Sequence, residues 1–295
     1  MGRKDSDCRK RKDFLICVDS DGCAMNTMDV KHFRCFGPAM VAEWRLENWR
    51  DEILFRWNEI NLYTMSRGIN RFQGLAKALR EIQEKYCEIQ GLETLESWVK
   101  ETSELSNAAL KREIEKKDNL CLQKALSWST AVNQAVEKLP QEEKRPFDGV
   151  KEALEEAGKN ADIAVVSSAN RDAVLEEWNL HGLLKYTDVV LAQDAGSKAF
   201  CIEKLLRQGY EKEHVVMCGD APGDMQAAEK NGVYFYPILV RHETESWEEF
   251  RTKGLKHLWQ GTYGEQYQQE KSQQFLNHLN RDSEKESNGG KRKSW

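Results

Sequence analysis

Long apolar runs are missing from this sequence. No stretch of its 295 residues approaches the ~20 consecutive apolar residues that a membrane-spanning helix needs. The N-terminus is crowded with charged residues, and the first apolar run, Phe14–Val18, is too short for the apolar part of a secretion signal. We therefore expect a cytoplasmic protein with no membrane partner.

Paired cysteines and an excess of basic charge are also lacking. The eight cysteines are scattered singly, so we predict reduced thiols and neither a zinc site nor a disulfide framework. The net charge of −5 argues against a nucleic-acid partner, since phosphate backbones select basic surfaces. Two basic runs, residues 9–12 and 291–293, lie near the ends of the chain, where we expect solvated tails.

Two patterns of hydrophobic residues divide the chain. Phe14–Val18 is a continuous apolar run, which is typical of a strand buried on both faces of a parallel sheet. Residues 39–140 instead carry apolar residues at helical spacing, which predicts about five helices and no strand. The tryptophans of this part are expected to lie in its core rather than in a pocket; they are Trp44, Trp49, Trp57, Trp98 and Trp128.

After residue 146, short apolar runs alternate with helical patterns, which predicts βαβ units. The predicted strands are Ile163–Val166, Asp188–Leu191, Val215–Cys218 and the apolar segment Val233–Val240. The fold class is therefore α/β: a three-layer, Rossmann-like parallel-sheet core with an inserted all-helical domain.

The same patterns predict the domain boundaries. We place the core at residues 1–22 and 145–265 and the helical insert at 23–144. A C-terminal extension follows at residues 266–295. Within the extension, residues 267–279 have the pattern of an amphipathic helix, and residues 281–295 have the composition of a disordered tail.

Polar side chains follow the predicted strands, at the edge where open parallel sheets bind their ligands. They are carboxylates, hydroxyls and one lysine, in chain order Asp19, Asp21, Ser167, Ser168, Lys198, Asp220 and Asp224. Carboxylates that lie close together repel one another, which raises the pKa of such groups. A hard divalent cation together with the lysine would remove that conflict, and an all-oxygen site suits Mg²⁺.

These residues stand in segments that resemble, in order, the four motifs of the haloacid dehalogenase superfamily. The segments are DSDGC at 19–23, VVSS at 165–168, Lys198, and GDAPGD at 219–224. The surrounding sequence also resembles phosphatases of that superfamily just before the second motif, where it reads RPFDGVKEALEEAG at 145–158. The resemblance covers the sheet core, whereas the helical insert matches by position alone, as a C1-type cap domain.

The resemblance implies a phosphoryl-transfer mechanism. Asp19 would attack phosphorus and form an aspartyl-phosphate. Asp21 would protonate the leaving oxygen and later deprotonate the attacking water. Ser167 and Lys198 would hold phosphoryl oxygens, and Ser168 is a further candidate for substrate binding.

The resemblance also implies a Mg²⁺ site. Asp19, the backbone carbonyl of Asp21, and Asp220 would bind the ion. Asp224 would be either another ligand or a partner that positions water or Lys198. Ser20 replaces a bulky apolar residue of the family; we expect it to pack, with a polar contact near the metal as the alternative.

One segment of the helical insert, Met65–Phe72, has the composition of an anion-binding loop. Guanidinium groups beside a glycine suit an anionic or polyhydroxylated ligand, so Arg67, Asn70 and Arg71 are candidate substrate-binding residues. The alternative is a plain connection in which Gly68 ends one helix and Asn70 caps the next.

The sequence as a whole predicts a cytoplasmic, Mg²⁺-dependent phosphatase that acts on a small phosphorylated metabolite. Neither the identity of the metabolite nor an oligomeric state follows from it. Two alternatives stay open. One is a phosphomutase, in which the phosphoryl group passes to a second hydroxyl of the substrate instead of to water. The other is a non-enzymatic member that uses the helical insert as a binding surface.

Overall fold

The computed structural model describes residues 9–287. These residues form two compact units. The sheet unit contains the residues up to Met28 and those from Gln141 onward, and the helical unit is Asp29–Pro140. Both junctions lie a few residues inside the predicted insert, because the loop after the first strand stays with the sheet: the backbone of Asn26 donates to Arg145 at 2.8 Å.

The sheet unit is built on one parallel sheet of five strands, in the order β3-β2-β1-β4-β5. The strands are β1 (Phe14–Val18), β2 (Ala161–Val166), β3 (Val189–Leu191), β4 (Val215–Gly219) and β5 (Tyr234–Pro237). Every predicted strand is present, and the predicted α/β fold with a parallel sheet is confirmed. The strand that leads into Asp19 is the central one.

The helices number fourteen in the described part of the chain, and short 3₁₀ and π-helical turns join some of them. They are α1 (Met28–Lys31), α2 (Gly37–Trp44), α3 (Arg50–Asn58), α4 (Arg71–Lys85), α5 (Leu92–Glu101), α6 (Asn107–Lys116), α7 (Leu120–Glu137), α8 (Val150–Ala157), α9 (Arg171–Leu180), α10 (Lys198–Leu206), α11 (Pro222–Asn231), α12 (Glu243–Glu249), α13 (Leu255–Trp259) and α14 (Glu265–Ser287).

Each unit has its own apolar core. In the sheet unit, β2 is buried along its whole length because helices flank the sheet, and Trp178 and Trp247 pack into the same core. In the helical unit, Trp57 and Trp128 form an edge-to-face pair with ring centroids 5.9 Å apart. Four of the five predicted core tryptophans are buried, and the partly buried Trp49 packs against the same core, so that prediction is confirmed.

The segment that follows α13 covers the outer edge of β5, which is the last strand on its side of the sheet. The backbone N–H of Phe235 donates to Gln268 Oε1 at 2.8 Å, and the Tyr263 hydroxyl donates to the Phe235 carbonyl at 3.1 Å. The ring of Phe275, on α14, packs against that of Phe235. An uncovered edge strand is a template for pairing with another chain, so these contacts protect the sheet from association.

The helix predicted at residues 267–279 is confirmed as part of α14. That helix continues to Ser287, past the predicted start of the disordered tail at residue 281. Residues 288–295, which include the predicted basic run at 291–293, lie outside the described residues. In the described part of the chain, none of the helices combines the length and the apolar character needed to cross a membrane.

The first basic run is not a solvated tail, contrary to the prediction. The backbone N–H groups of Arg11 and Lys12 donate to Asp162 Oδ2 at 2.8 and 3.0 Å, and the Tyr210 hydroxyl donates to the same oxygen at 2.6 Å. Arg11 also forms an ion pair with Asp188. Asp162 is buried at the start of β2, so one carboxylate fixes the entry of the chain into the sheet.

We expect Asp162→Ala to lower the free energy of unfolding by about 3 kcal/mol, because it leaves three donors without their acceptor in a buried place. Urea unfolding monitored by circular dichroism measures the change. Asp13→Ala removes a carboxylate that is 80% exposed, and its effect should stay within about 0.5 kcal/mol. Equal stability of the two variants would contradict an anchoring role for Asp162.

Candidate active site

The parallel register brings the predicted site residues to one edge of the sheet. Val18, the last residue of β1, is in register with Val165 of β2 and Cys218 of β4. The next residue, Asp19, donates its backbone N–H to the Cys218 carbonyl at 3.0 Å. Asp19 therefore lies just after the end of the central strand, between the ends of β2 and β4. At this point the order of the strands in the sheet changes direction.

The loop after Asp19 folds back on itself. Gly22 has φ +82°, a conformation that favours glycine, and the Met25 backbone N–H donates to the Ser20 carbonyl at 2.8 Å. The buried Ser20 hydroxyl accepts from Trp178 Nε1 at 2.9 Å. Ser20 thus has a packing role, and its contact with Trp178 fixes the start of the loop that follows Asp19.

Lys198 connects two carboxylates. It is the first residue of α10, and its Nζ lies 2.9 Å from Asp19 Oδ2 and 2.6 Å from Asp224 Oδ1. Burial lowers the pKa of Lys198, but attraction to Asp19 and Asp224 outweighs it and leaves the pKa above its ordinary value. The lysine is therefore a cation at neutral pH.

Three buried carboxylates lie close together here, and Lys198 contacts two of them. Oxygens of Asp19, Asp220 and Asp224 lie within 4.8 Å of one another. Burial raises the pKa of Asp19 well above its usual range; Lys198 acts against this, while Asp224 and Asp220 add to it. One lysine cannot balance three ionised carboxylates, so this oxygen-rich donor set fits a hard divalent cation such as Mg²⁺.

Asp224 is held by its own loop. Its Oδ2 accepts from the backbone N–H of Ala221 at 3.1 Å, in the first turn of α11, while its Oδ1 accepts from Lys198. A Cβ atom on Gly219 would lie 2.3 Å from the Cβ of Asp224, which is far too close. Gly219 is therefore the residue that lets Asp224 approach the strand end.

Asp21 contacts a residue that the sequence reasoning missed. The buried hydroxyl of Thr27 donates to Asp21 Oδ1 at 2.5 Å. Thr27 lies inside the predicted helical insert, 23–144, and nothing in its local sequence marks it as a site residue. Only the return of the loop toward residues 145–147 brings it beside Asp21.

The two serines after β2 differ in exposure. Ser167 is buried, its hydroxyl accepts from the Ala169 backbone N–H at 3.1 Å, and its own backbone N–H donates to the Leu191 carbonyl at 2.9 Å. Ser168 is exposed. Ser167 is thus fixed at the strand end, and its hydroxyl keeps its proton available for a ligand oxygen.

The candidate residues of the helical unit have contacts inside that unit. Arg67 is 2% exposed and donates from Nη1 to the Leu62 carbonyl at 2.6 Å. Asn70 caps α4 by accepting from the Phe72 backbone N–H at 2.9 Å, as the alternative interpretation expects. Arg71 donates to Asn133 Oδ1 at 2.7 Å. That these three residues bind the substrate stays a prediction.

Comparison with known proteins agrees with this geometry. The sequence model of the haloacid dehalogenase-like hydrolases matches residues 69–238, a range that contains Ser167, Lys198, Asp220 and Asp224 and begins after Asp19. No curated protein sequence matches the chain significantly.

Several solved structures are similar at low sequence identity. A haloacid dehalogenase-like family hydrolase from Streptococcus pneumoniae is 12% identical, with 80% of this chain and 90% of that one covered and a TM-score of 0.43. A predicted phosphatase from Clostridium acetobutylicum is 12% identical, with coverage of 82% and 98% and a TM-score of 0.45. A predicted phosphoglycolate phosphatase from Haemophilus somnus is 14% identical, with coverage of 77% and 86% and a TM-score of 0.45.

The family match covers more than half of the chain, and the parallel sheet carries the motif residues at its strand ends. The superfamily predicted from the sequence is thus confirmed: this chain belongs to the haloacid dehalogenase-like hydrolases.

Proposed function

We propose that this protein is a Mg²⁺-dependent phosphatase that hydrolyses a small phosphorylated metabolite through an aspartyl-phosphate. The observation that carries the proposal is the contact of Lys198 with both Asp19 and Asp224, beside Asp220, at the end of the central strand. A cation held against a buried carboxylate favours its ionised form, which a nucleophile requires, and so opposes the rise in the pKa of Asp19 that burial causes.

In the first step, an oxygen of Asp19 forms a bond to phosphorus while the bond from phosphorus to the ester oxygen breaks. Asp21 donates its proton to that leaving oxygen, so the product is a neutral alcohol. Lys198 and the Ser167 hydroxyl donate hydrogen bonds to the phosphoryl oxygens, which carry the developing negative charge. Ser168 is exposed at the same strand end and is a candidate for contact with the rest of the substrate.

In the second step, Asp21 accepts a proton from a water molecule, and that water attacks phosphorus and releases phosphate from Asp19. The Thr27 hydroxyl donates to Asp21 and so keeps its carboxyl in place through both steps. Thr27 is thus a positioning residue of this mechanism.

The metal site that we propose contains Asp19, Asp220 and the backbone carbonyl of Asp21. When bound, Mg²⁺ supplies positive charge that neutralises the transferring phosphoryl group. Both oxygens of Asp224 already accept hydrogen bonds, one from Ala221 and one from Lys198. We therefore assign Asp224 to holding the lysine rather than to binding the metal directly.

We also assign catalysis to the sheet unit, selection of the substrate to the helical unit, and a cytoplasmic location to the protein.

Asp19→Asn should lower phosphate release by about a thousandfold or more, because an amide is not a nucleophile toward phosphorus. The assay is phosphate release from a panel of phosphate esters with Mg²⁺, and EDTA should abolish the same activity. Asp13→Asn makes the same change just before β1, at the opposite end of that strand, and should retain activity. Activity in Asp19→Asn close to that of the original protein would exclude the mechanism.

Thr27→Val should lower kcat/KM by about ten- to a hundredfold on an alkyl phosphate, because Asp21 loses the donor that positions it as the acid of the first step. The loss should be smaller on p-nitrophenyl phosphate, whose leaving group does not need a proton. Thr27→Ser keeps the hydroxyl and should recover most of the rate. Equal losses of kcat/KM on the two esters would show that Thr27 does not position Asp21 as the acid of the first step.

Gly219→Ala should lower kcat/KM by about a hundredfold, because the new methyl group displaces Asp224 and with it Lys198. Gly223→Ala is the matched control in the same loop, since a Cβ there meets no atom within 4 Å. Steady-state kinetics on one ester compare the two variants, and circular dichroism verifies that both are folded. Similar activities would contradict the assigned role of Gly219.

A further inference from the structure

A cavity of about 450 Å³ lies between α12 and α14, and two histidines belong to its lining. His242 is the residue before α12, and His278 is on α14. The carboxylates of Glu245 and Glu249 line the same cavity. All four residues belong to the sheet unit, and no step of the proposed phosphatase mechanism uses them.

The imidazole rings of His242 and His278 are neighbours. Their centroids lie 5.6 Å apart, with an angle of 74° between the ring planes. Two imidazoles that bind one tetrahedral ion have centroids roughly 5 Å apart, since each ligating nitrogen lies about 2 Å from the ion. The observed separation is close to that value, and rotation of His242, whose side chain is 57% exposed, can close the difference.

The nitrogen that each ring can offer to an ion is set by a contact of its other nitrogen. His278 Nε2 lies 2.8 Å from the Val240 carbonyl oxygen. A carbonyl only accepts, so Nε2 carries the proton and Nδ1 keeps the lone pair. His242 Nδ1 lies 4.0 Å from Glu245 Oε1, and this carboxylate favours the proton on Nδ1 and the lone pair on Nε2. Histidines that bind metals are oriented in this way, by a carbonyl or a carboxylate on the other nitrogen.

The donor atoms of this pair differ from those of the candidate active site. Imidazole nitrogen suits zinc and other transition-metal ions, whereas carboxylate oxygen suits Mg²⁺. Within the described residues, the active-site carboxylates are the only group in which three such side chains already hold their donor atoms within 4.8 Å of one another. The histidine pair therefore supplies two protein ligands, and water completes the coordination.

We propose that His242 and His278 form a binding site for a transition-metal ion such as Zn²⁺, separate from the carboxylate site. The ion binds His278 Nδ1 and His242 Nε2, while the Val240 carbonyl and Glu245 orient the two rings. It thereby joins the turn before α12 to α14, the helix that packs against β5. The bound ion holds this helix on the sheet unit. The inference does not depend on the phosphatase proposal.

The test is a titration of the purified protein with Zn²⁺ by calorimetry, in excess Mg²⁺ so that the carboxylate site is occupied. His242→Gln and His278→Gln should each weaken zinc binding by about tenfold or more, because losing a ligand costs at least as much as losing an outer partner. Glutamine at 278 keeps an N–H for the Val240 carbonyl, so His278→Gln removes the ligating nitrogen and retains the structural contact.

Two further variants are matched controls for the zinc titration. His181 Nε2 also lies close to a carbonyl oxygen, that of Lys144 at 2.6 Å, but His181 is not part of the cavity lining. His181→Gln should therefore leave zinc binding unchanged. Asp220→Asn removes a carboxylate of the candidate active site and should leave it unchanged as well.

A second measurement detects the expected effect on stability. Zn²⁺ should raise the Tm of the original protein and of the two controls, but not that of either histidine variant, because the ion binds the folded state. Co²⁺ in place of Zn²⁺ should give visible absorption bands that His242→Gln removes. Because His242 is exposed, this variant tests the site even if His278→Gln does not fold.

The outcomes decide the proposal directly. Zinc binding that both histidine variants weaken and both controls retain supports the site. Unchanged binding in His242→Gln and His278→Gln would exclude it. Loss of binding in Asp220→Asn alone would assign the zinc to the active-site carboxylates and would also overturn the proposal. None of these measurements uses phosphate release, so failure of the phosphatase proposal would leave their result intact.

Discussion

The contact of Lys198 with both Asp19 and Asp224 is the interaction on which the rest of the site depends. Three carboxylates buried within 4.8 Å of one another could not all stay ionised without positive charge between them. Lys198 supplies one charge, fixed by two ion pairs, and leaves a deficit that a divalent cation can fill. In the function that we propose, the same buried environment that makes this cluster costly would strengthen its electrostatic action on a phosphoryl group.

The scaffold keeps these charges in place through contacts with uncharged groups. Ser20 is held by Trp178 and so fixes the loop that begins at Asp19, while the missing side chain of Gly219 lets Asp224 come close to the end of β4. The Thr27 hydroxyl, later in that loop, donates to Asp21 and so holds its carboxylate in place. In the function that we propose, each contact would fix a side chain before the reaction, so that less conformational entropy is lost during the transfer.

Charge is handled in a different way in each unit. The sheet unit collects carboxylates around a lysine, whereas the helical unit holds the guanidinium of Arg71 among hydroxyl, amide and aromatic groups.

The sequence by itself determined the α/β fold and the identity of the motif residues. Buried strands and amphipathic helices are local patterns, and residues that follow parallel strands must meet at one edge of the sheet, so Asp19, Lys198 and Asp220 could be identified without coordinates. Only the tertiary structure decided that the chain before β1 is anchored by Asp162, that Thr27 contacts Asp21, and that the rings of His242 and His278 lie side by side. Those features depend on which distant segments come together, and burial and pairing are properties of that assembly, which no local pattern of residues encodes.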